Sequence, residues 1–212
     1  LTAAVLLLAA LFTVKTKANP FLTGLSVNLF AAGIIPWASE FFLKKKGVIS
    51  FEEFLPETVF SPINNLLPFF IALTSALILF LFLRLTAEGF ALKYSGEAPA
   101  VLTASGKNPD TYKIASWTVA GFFSACAGCV LVLRLGAYTP GISAGRGWTA
   151  LAAVFLGRKN PLLCVLAVIV FSSAEYGTNI AQGAIKIPAG ILLSFPYFFA
   201  LLFFMLSSYK NR

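Results

Sequence analysis

L-P-F-F-I-A-L-T-S-A-L-I-L-F-L-F-L, residues 67–83, is an uncharged apolar run whose only hydroxyls, Thr74 and Ser75, are adjacent. The period of two that marks a half-buried strand or a membrane β-barrel is missing from it. A helix of roughly 17–25 apolar residues crosses a bilayer. In hydrocarbon every backbone N–H and C=O must be paired within the protein, and a helix achieves this by itself. The run therefore reads as a transmembrane helix.

The same reading extends in both directions. Ala18–Ser39, Ala115–Leu133 and Ile187–Tyr209 are also uncharged, and Leu1–Val14 is a shorter apolar run. Between the last two long runs lie Gly147–Gly157 and Pro161–Ala174, separated by Arg158, Lys159 and Asn160. Each is short for a lipid-facing span, so they are expected as two half-length or tilted helices joined by a tight turn. The chain opens at Leu1, already apolar, with no initiator Met and no basic n-region. This reads as an N-terminally truncated chain.

Composition agrees. The 212 residues are 58% hydrophobic and 11% charged, with a mean hydropathy of +0.86, whereas a soluble domain carries roughly 25% charged residues. The formal charge of +8 would suggest nucleic acid in a soluble protein. In a membrane protein it reflects loops facing anionic lipid, so membrane lipid is the expected partner and nucleic acid is not. There is no His, and Cys126, Cys129 and Cys164 all lie in apolar stretches, which fits packing rather than a metal site or a disulfide framework. No cofactor and no catalytic group is expected.

Loop charge sets orientation. If residues 84–116 face the cytoplasm, alternation places Lys15, Lys17, Arg84, Lys93, Lys107, Lys113, Arg158, Lys159, Lys210 and Arg212 inside. Lys44, Lys45, Lys46, Arg134, Arg146 and Lys186 then fall outside. The bias has the expected sign, although the Lys44–Lys46 cluster runs against it. The outer stretch 44–66, with F-E-E-F-L at 51–55, is expected on the membrane surface.

The polar stretch from 86 to 113 contains G-E-A-P at 96–99 and G-K-N-P at 106–109. Glu97 suits the first turn of a helix, Pro99 its first position and Gly106 its C-terminal cap. One short amphipathic helix lying across the bundle is expected; a plain connecting loop fits the residues equally well. The stretch resembles the cytoplasmic loop of ABC permeases of the branched-chain amino acid, ribose and nucleoside type, whose pattern runs R-A-x-G-E-N-P-x-A-A-x-x-x-G. Gly96, Glu97, Pro99, Ala100 and Gly106 match; Ala98 replaces the usual Asn, and Lys93 stands near the usual Arg. The resemblance implies that Gly96, Glu97, Ala98, Pro99 and Gly106 belong to a coupling helix that docks on an ATP-binding subunit.

Y-T-P-G-I-S-A-G-R-G-W-T-A-L-A-A-V-F-L-G-R-K-N-P, residues 138–161, and A-N-P-F-L-T-G-L-S-V-N-L, residues 18–29, resemble the nucleoside or simple-sugar branch of these permeases. Pro140, Gly141, Gly145 and Gly147 do not suit a lipid-exposed helix. Irregular backbone at membrane depth is tolerated inside protein or beside a water-filled cavity, where broken helices can bind solute. A tight hairpin with packing glycines fits as well. Ser143 and Arg146 fall in this region and are candidates for the translocation pathway. No Lys-Ser/Thr follows the glycines, so this is not a phosphate-binding loop.

Further pathway candidates are Asn28, mid-span, and Glu175 with Asn179 and Gln182 after the 161–174 run. An intramembrane acid or amide is a functional candidate, but Glu175 equally fits an exposed outer turn and Asn28 a bond between helices. Gly121, Ala125 and Cys129, with Ser124 and Gly128 alongside, form a small-residue stripe suited to close helix contact. The fold expected is thus all-α: a polytopic transmembrane bundle with broken or half-length helices, forming a single permease domain over 1–212 with its coupling loop at about 86–113. The resemblance further implies three partners: the ATP-binding subunit, a second permease subunit, and a substrate-binding lipoprotein or periplasmic protein. A secondary transporter would need an intramembrane acid pair, for which only Glu40 and Glu175 are available. An embedded enzyme would need a nucleophile and base, hard to build without His.

Overall fold

A computed structural model describes residues 2–44, 47–50, 62–143 and 146–184. Eight helices and a two-stranded ladder occur among them, in the order α1 (Thr2–Thr16), α2 (Pro20–Leu43), β1 (Ile49–Ser50), α3 (Pro62–Leu85), α4 (Ala87–Glu97), α5 (Pro99–Ala104), α6 (Pro109–Leu135), β2 (Ala137–Tyr138), α7 (Arg146–Leu156) and α8 (Pro161–Ala184). Four stretches are long and apolar enough to cross a membrane: Pro20–Phe42, Leu66–Leu85, Pro109–Leu135 and Pro161–Thr178. The protein is an all-α, multi-pass membrane helix bundle. The expected span Ile187–Tyr209, residues 51–61 of the outer stretch, and Ala144 and Gly145 lie outside the described residues.

Local chemistry fixes the helix ends. Asn19 caps α2, its Oδ1 accepting the Phe21 N–H at 2.9 Å, with Pro20 at the first helical position. Lys44 closes α2 in the left-handed region, donating its N–H to Glu40 O at 3.0 Å. Inside α3 the two hydroxyls of the apolar run bond back to the helix, Thr74 to Phe70 O at 2.8 Å and Ser75 to Ala72 O at 2.8 Å. They need no water there. Helix α6 begins six residues before the apolar run, at Pro109, because Asn108 Oδ1 caps it through the Asp110 N–H at 3.0 Å. Runs of apolar residues mark only the immersed part of a helix, not its wet first turn.

One reading from the apolar runs is corrected. Pro161–Ala174 is not half-length: α8 has 24 residues and continues past Glu175 to Ala184. A single charge ended the apolar run, but nothing in E-Y-G-T-N breaks a helix, and Thr178 Oγ1 bonds back to Glu175 O at 2.8 Å. Helix α7, at 11 residues, is short as expected.

The described residues fall into two compact units. The first contains α1, α2, the strand pair, both ends of α3, and α4 to α6. Here α1 lies along α6, burying Ala9, Ala10 and Thr13. A Cβ on Gly121 would stand 3.0 Å from Ala3 Cα and from the Leu6 side chain, so only glycine admits this approach without a shift. The expected small-residue stripe is used at this end; Gly128 and Cys129 are exposed instead. Beyond the spans, Ile49 pairs with Tyr138 and Ser50 with Ala137, antiparallel, joining the chain after α2 to the chain after α6. The second unit contains residues 70–81, α7 and α8, with a small core of Ala153, Ala167 and Phe171. Large apolar side chains such as Leu29, Phe30, Ile78 and Leu166 face outward. That pattern suits lipid, in which helices meet through small residues.

Candidate functional site

Residues 86–113 do not form one helix in a loop. They form an elbow of two. Thr86 ends α3 and starts α4: its Oγ1 donates to Phe82 O at 2.7 Å and accepts the Gly89 N–H at 3.0 Å. Gly89 is required at this bend. A Cβ there would run into the Phe82 carbonyl oxygen and stand 2.7 Å from Leu83 Cα, both backbone atoms. Helix α4 then lies against α6 and α5, burying Ala91 and Ser95.

Helix α5 is the short helix expected from the sequence. Pro99 opens it, and Gly106 closes it at a φ of +80°. Gly106 N–H bonds to Thr103 O at 3.0 Å and Lys107 N–H to Leu102 O at 3.1 Å. This paired closure is the Schellman motif, and its left-handed residue is normally glycine. One placement differs: Glu97 is the last residue of α4, not part of the first turn of α5, because Ala98 supplies the break between them. Leu102 is the buried residue of α5; Gly96, Glu97, Pro99, Val101 and Gly106 are exposed and Ala98 is half-buried. Phe90 and Tyr94 of α4 are also exposed, so the elbow carries an apolar outer surface beside its polar residues.

A polar cluster that sequence reading missed ties the elbow together. Glu88, on the first turn of α4, accepts Lys107 Nζ on Oε1 at 2.6 Å and the Tyr112 hydroxyl on Oε2 at 2.6 Å. The Lys107 ammonium also lies 5.9 Å from the Tyr112 ring centroid, within cation–π range. Lys107 and then Tyr112 hold the Glu88 carboxyl below its ordinary value. Glu88 and then Tyr112 raise Lys107. A signal was there to find: Thr86 two residues ahead of an acid is a helix start.

The pathway candidates divide. Asn28 stands in the first unit, exposed on α2. In the second, Ser143 and Arg146 adjoin the start of α7, joined by the Arg146 N–H to Ser143 O bond at 3.2 Å; both are exposed. Glu175 is exposed on α8. Helical spacing places Glu175, Asn179 and Gln182 on one face of α8 at i, i+4 and i+7. The side chains of Asn179 and Gln182 lie outside the described residues.

The turn between α7 and α8 is as tight as expected. Gly157 ends α7, and Arg158 and Lys159 follow in the left-handed region at φ 49° and 60°. Their N–H groups bond to Phe155 O and Val154 O, each at 3.1 Å. Asn160 Oδ1 then caps α8 through the Leu162 N–H at 3.1 Å. A Cβ on Gly157 would stand 2.6 Å from both Cys164 N and Cys164 Sγ.

Residues 1–207 match the family described as branched-chain amino acid transport system / permease component. The chain belongs to that family. This permease is also 26% identical, over 92% of its length, to the nucleoside ABC transporter permease protein NupC of Lactococcus lactis subsp. cremoris (strain MG1363), and it spans 66% of that protein. No solved structure gives a significant match. Members of the family are transport permeases rather than enzymes.

Proposed function

We propose that this permease is one transmembrane subunit of an ABC importer for nucleosides, purine nucleosides in particular, in a bacterial cytoplasmic membrane. Residues 1–212 act as one permease domain. An ATP-binding subunit docks on α5 from the cytoplasm, a second permease completes the channel, and a lipoprotein or periplasmic protein delivers the solute. The observation that carries this reading is α5 itself: a short exposed helix, bounded by Pro99 and Gly106, set across the α3–α6 connection. Force applied there reaches two spans. Asn28, Ser143, Arg146, Glu175, Asn179 and Gln182 are assigned to the solute path, where amides and hydroxyls can bond to ribose and base edges. The nucleoside choice rests on the 138–161 motif and on the relative's function.

The test is uptake of labelled guanosine by proteoliposomes containing the complete complex, with adenosine and ribose as competitors. Uptake that requires ATP hydrolysis and yields to adenosine supports the assignment. Competition by ribose alone would move it to a simple-sugar importer. Uptake without an ATPase would sink it.

A further inference from the structure

Helix α5 has little to hold it. It has six residues, of which Leu102 is buried, and Gly106 adjoins the link to α6. A motor pushing on such a helix would swing it about that link before it moved the spans. Rigid transmission needs a brace between the end of α5 and the helices on either side.

Building on the importer reading above, we propose that Glu88, Lys107 and Tyr112 are positioning residues that brace α5 between α4 and α6, so that motion of α5 passes to the spans. Each of the three marks a different element. Glu88 follows the elbow that joins α4 to α3. Lys107 is held by its own N–H bond to Leu102 O, so its backbone follows the end of α5. Tyr112 sits in the first turns of α6. One carboxylate joins all three by giving one oxygen to each donor, at 2.6 Å in both cases. The side chains of Glu88 and Lys107 are 58% and 38% exposed, and exposed pairs add little to stability. The cluster's effect is therefore on geometry, and its loss uncouples the motor while leaving the fold intact.

The measurement is the ratio of solute imported to ATP hydrolysed, both read from the same proteoliposomes of the full complex. Glu88→Gln, Lys107→Met and Tyr112→Phe each lower this ratio several-fold, with insertion and hydrolysis maintained. Lys107→Arg, which keeps the charge and a donor, retains it. Glu88→Gln combined with Lys107→Met is no worse than the stronger single change, because both break one unit. Tyr112→Phe removes one oxygen and no packing, so it decides the matter if another variant fails to insert. Wild-type ratios in Glu88→Gln, Lys107→Met and Tyr112→Phe would overturn the brace while leaving the importer reading intact. A wild-type complex with no ATP-driven uptake would overturn the importer reading itself.

Discussion

The elbow of α4 and α5 and the hairpin of α7 and α8 solve the same problem with different chemistry. Each must turn the chain within a few residues, and each ends one of its helices with the same paired backbone bonds, α5 at Gly106–Lys107 and α7 at Arg158–Lys159. The elbow is tied by charge and hydroxyl, through Glu88, Lys107 and Tyr112. The hairpin is packed by small and apolar groups: Gly157 against Cys164, and Ala153 against Ala167 and Phe171. The elbow lies outside the apolar spans, where water competes with polar bonds, so its brace rests on charge and geometry rather than on close packing. The hairpin includes an apolar span, where close contact is the main source of cohesion. One region can act as a joint, and the other as a rigid post.

The largest expected effects come from glycines on which either turn depends. Gly89→Ala puts a methyl group into the Phe82 carbonyl. Backbone cannot rotate away as a side chain can, and overpacking of this kind costs about 1–3 kcal/mol or more. Folded yield falls sharply and uptake is lost; normal yield and uptake would show that the elbow opens easily. Gly157→Ala meets Cys164 N and Sγ. Adding Cys164→Ala removes the sulfur but leaves the backbone clash, so yield recovers in part. Full recovery would mean that the hairpin is less rigid than its packing indicates.

How much of this was legible depends on what each feature requires. The long spans among the described residues were, because immersion demands long uncharged runs, and α5 was, because Pro99 and Gly106 mark its ends by their backbone limits. The length of α8 was not: Glu175 interrupts hydropathy without interrupting hydrogen bonding. Helix α4 was legible only at its start, where Thr86 precedes Glu88; the rest of A-E-G-F-A-L-K-Y-S-G-E has too few apolar residues to resemble a span and too many polar ones to suggest a packed helix. The bond from Glu88 to Tyr112 joins residues 24 apart through a fold that no local pattern encodes. The pathway candidates were legible only as residue types, since Asn28 and Glu175 stand in different units.

A smaller contrast lies in the two closures. Gly106 holds its φ of +80° where an added Cβ would meet nothing within 4 Å, whereas Arg158 and Lys159 hold positive φ with side chains attached. Gly106→Ala therefore costs about 1 kcal/mol of backbone strain and no clash, and shows as lower import per ATP with normal insertion. Arg158→Gly relieves strain of similar size, so thermal stability in detergent rises by a few degrees. A drop instead would show that the Arg158 side chain contributes more than its backbone costs.

The smallest effect separates the joint from the post by pH. Glu88 has its carboxyl pKa lowered from 4.5, so its contribution is complete above that value and is lost as pH falls through the lowered one. Lys107 is raised from 10.5, so its contribution is complete below that value and is lost as pH rises through the raised one. Between these limits the brace keeps its charges. Lys93, Tyr94 and Glu97 on α4 and Asp110 and Lys113 on α6 are further ionisable side chains on the two helices that flank the brace, and the ATPase has its own pH response. The useful quantity is therefore the import-to-hydrolysis ratio of the wild type divided by that of Glu88→Gln. From about pH 6 to about pH 9 this quotient stays flat, since an unperturbed carboxyl and an unperturbed amine titrate outside that range. A step near neutrality would mean that another group controls the joint. At the acid end the quotient approaches one, because protonating Glu88 does to the wild type what the amide does permanently, and at the alkaline end it does so again as Lys107 loses its proton.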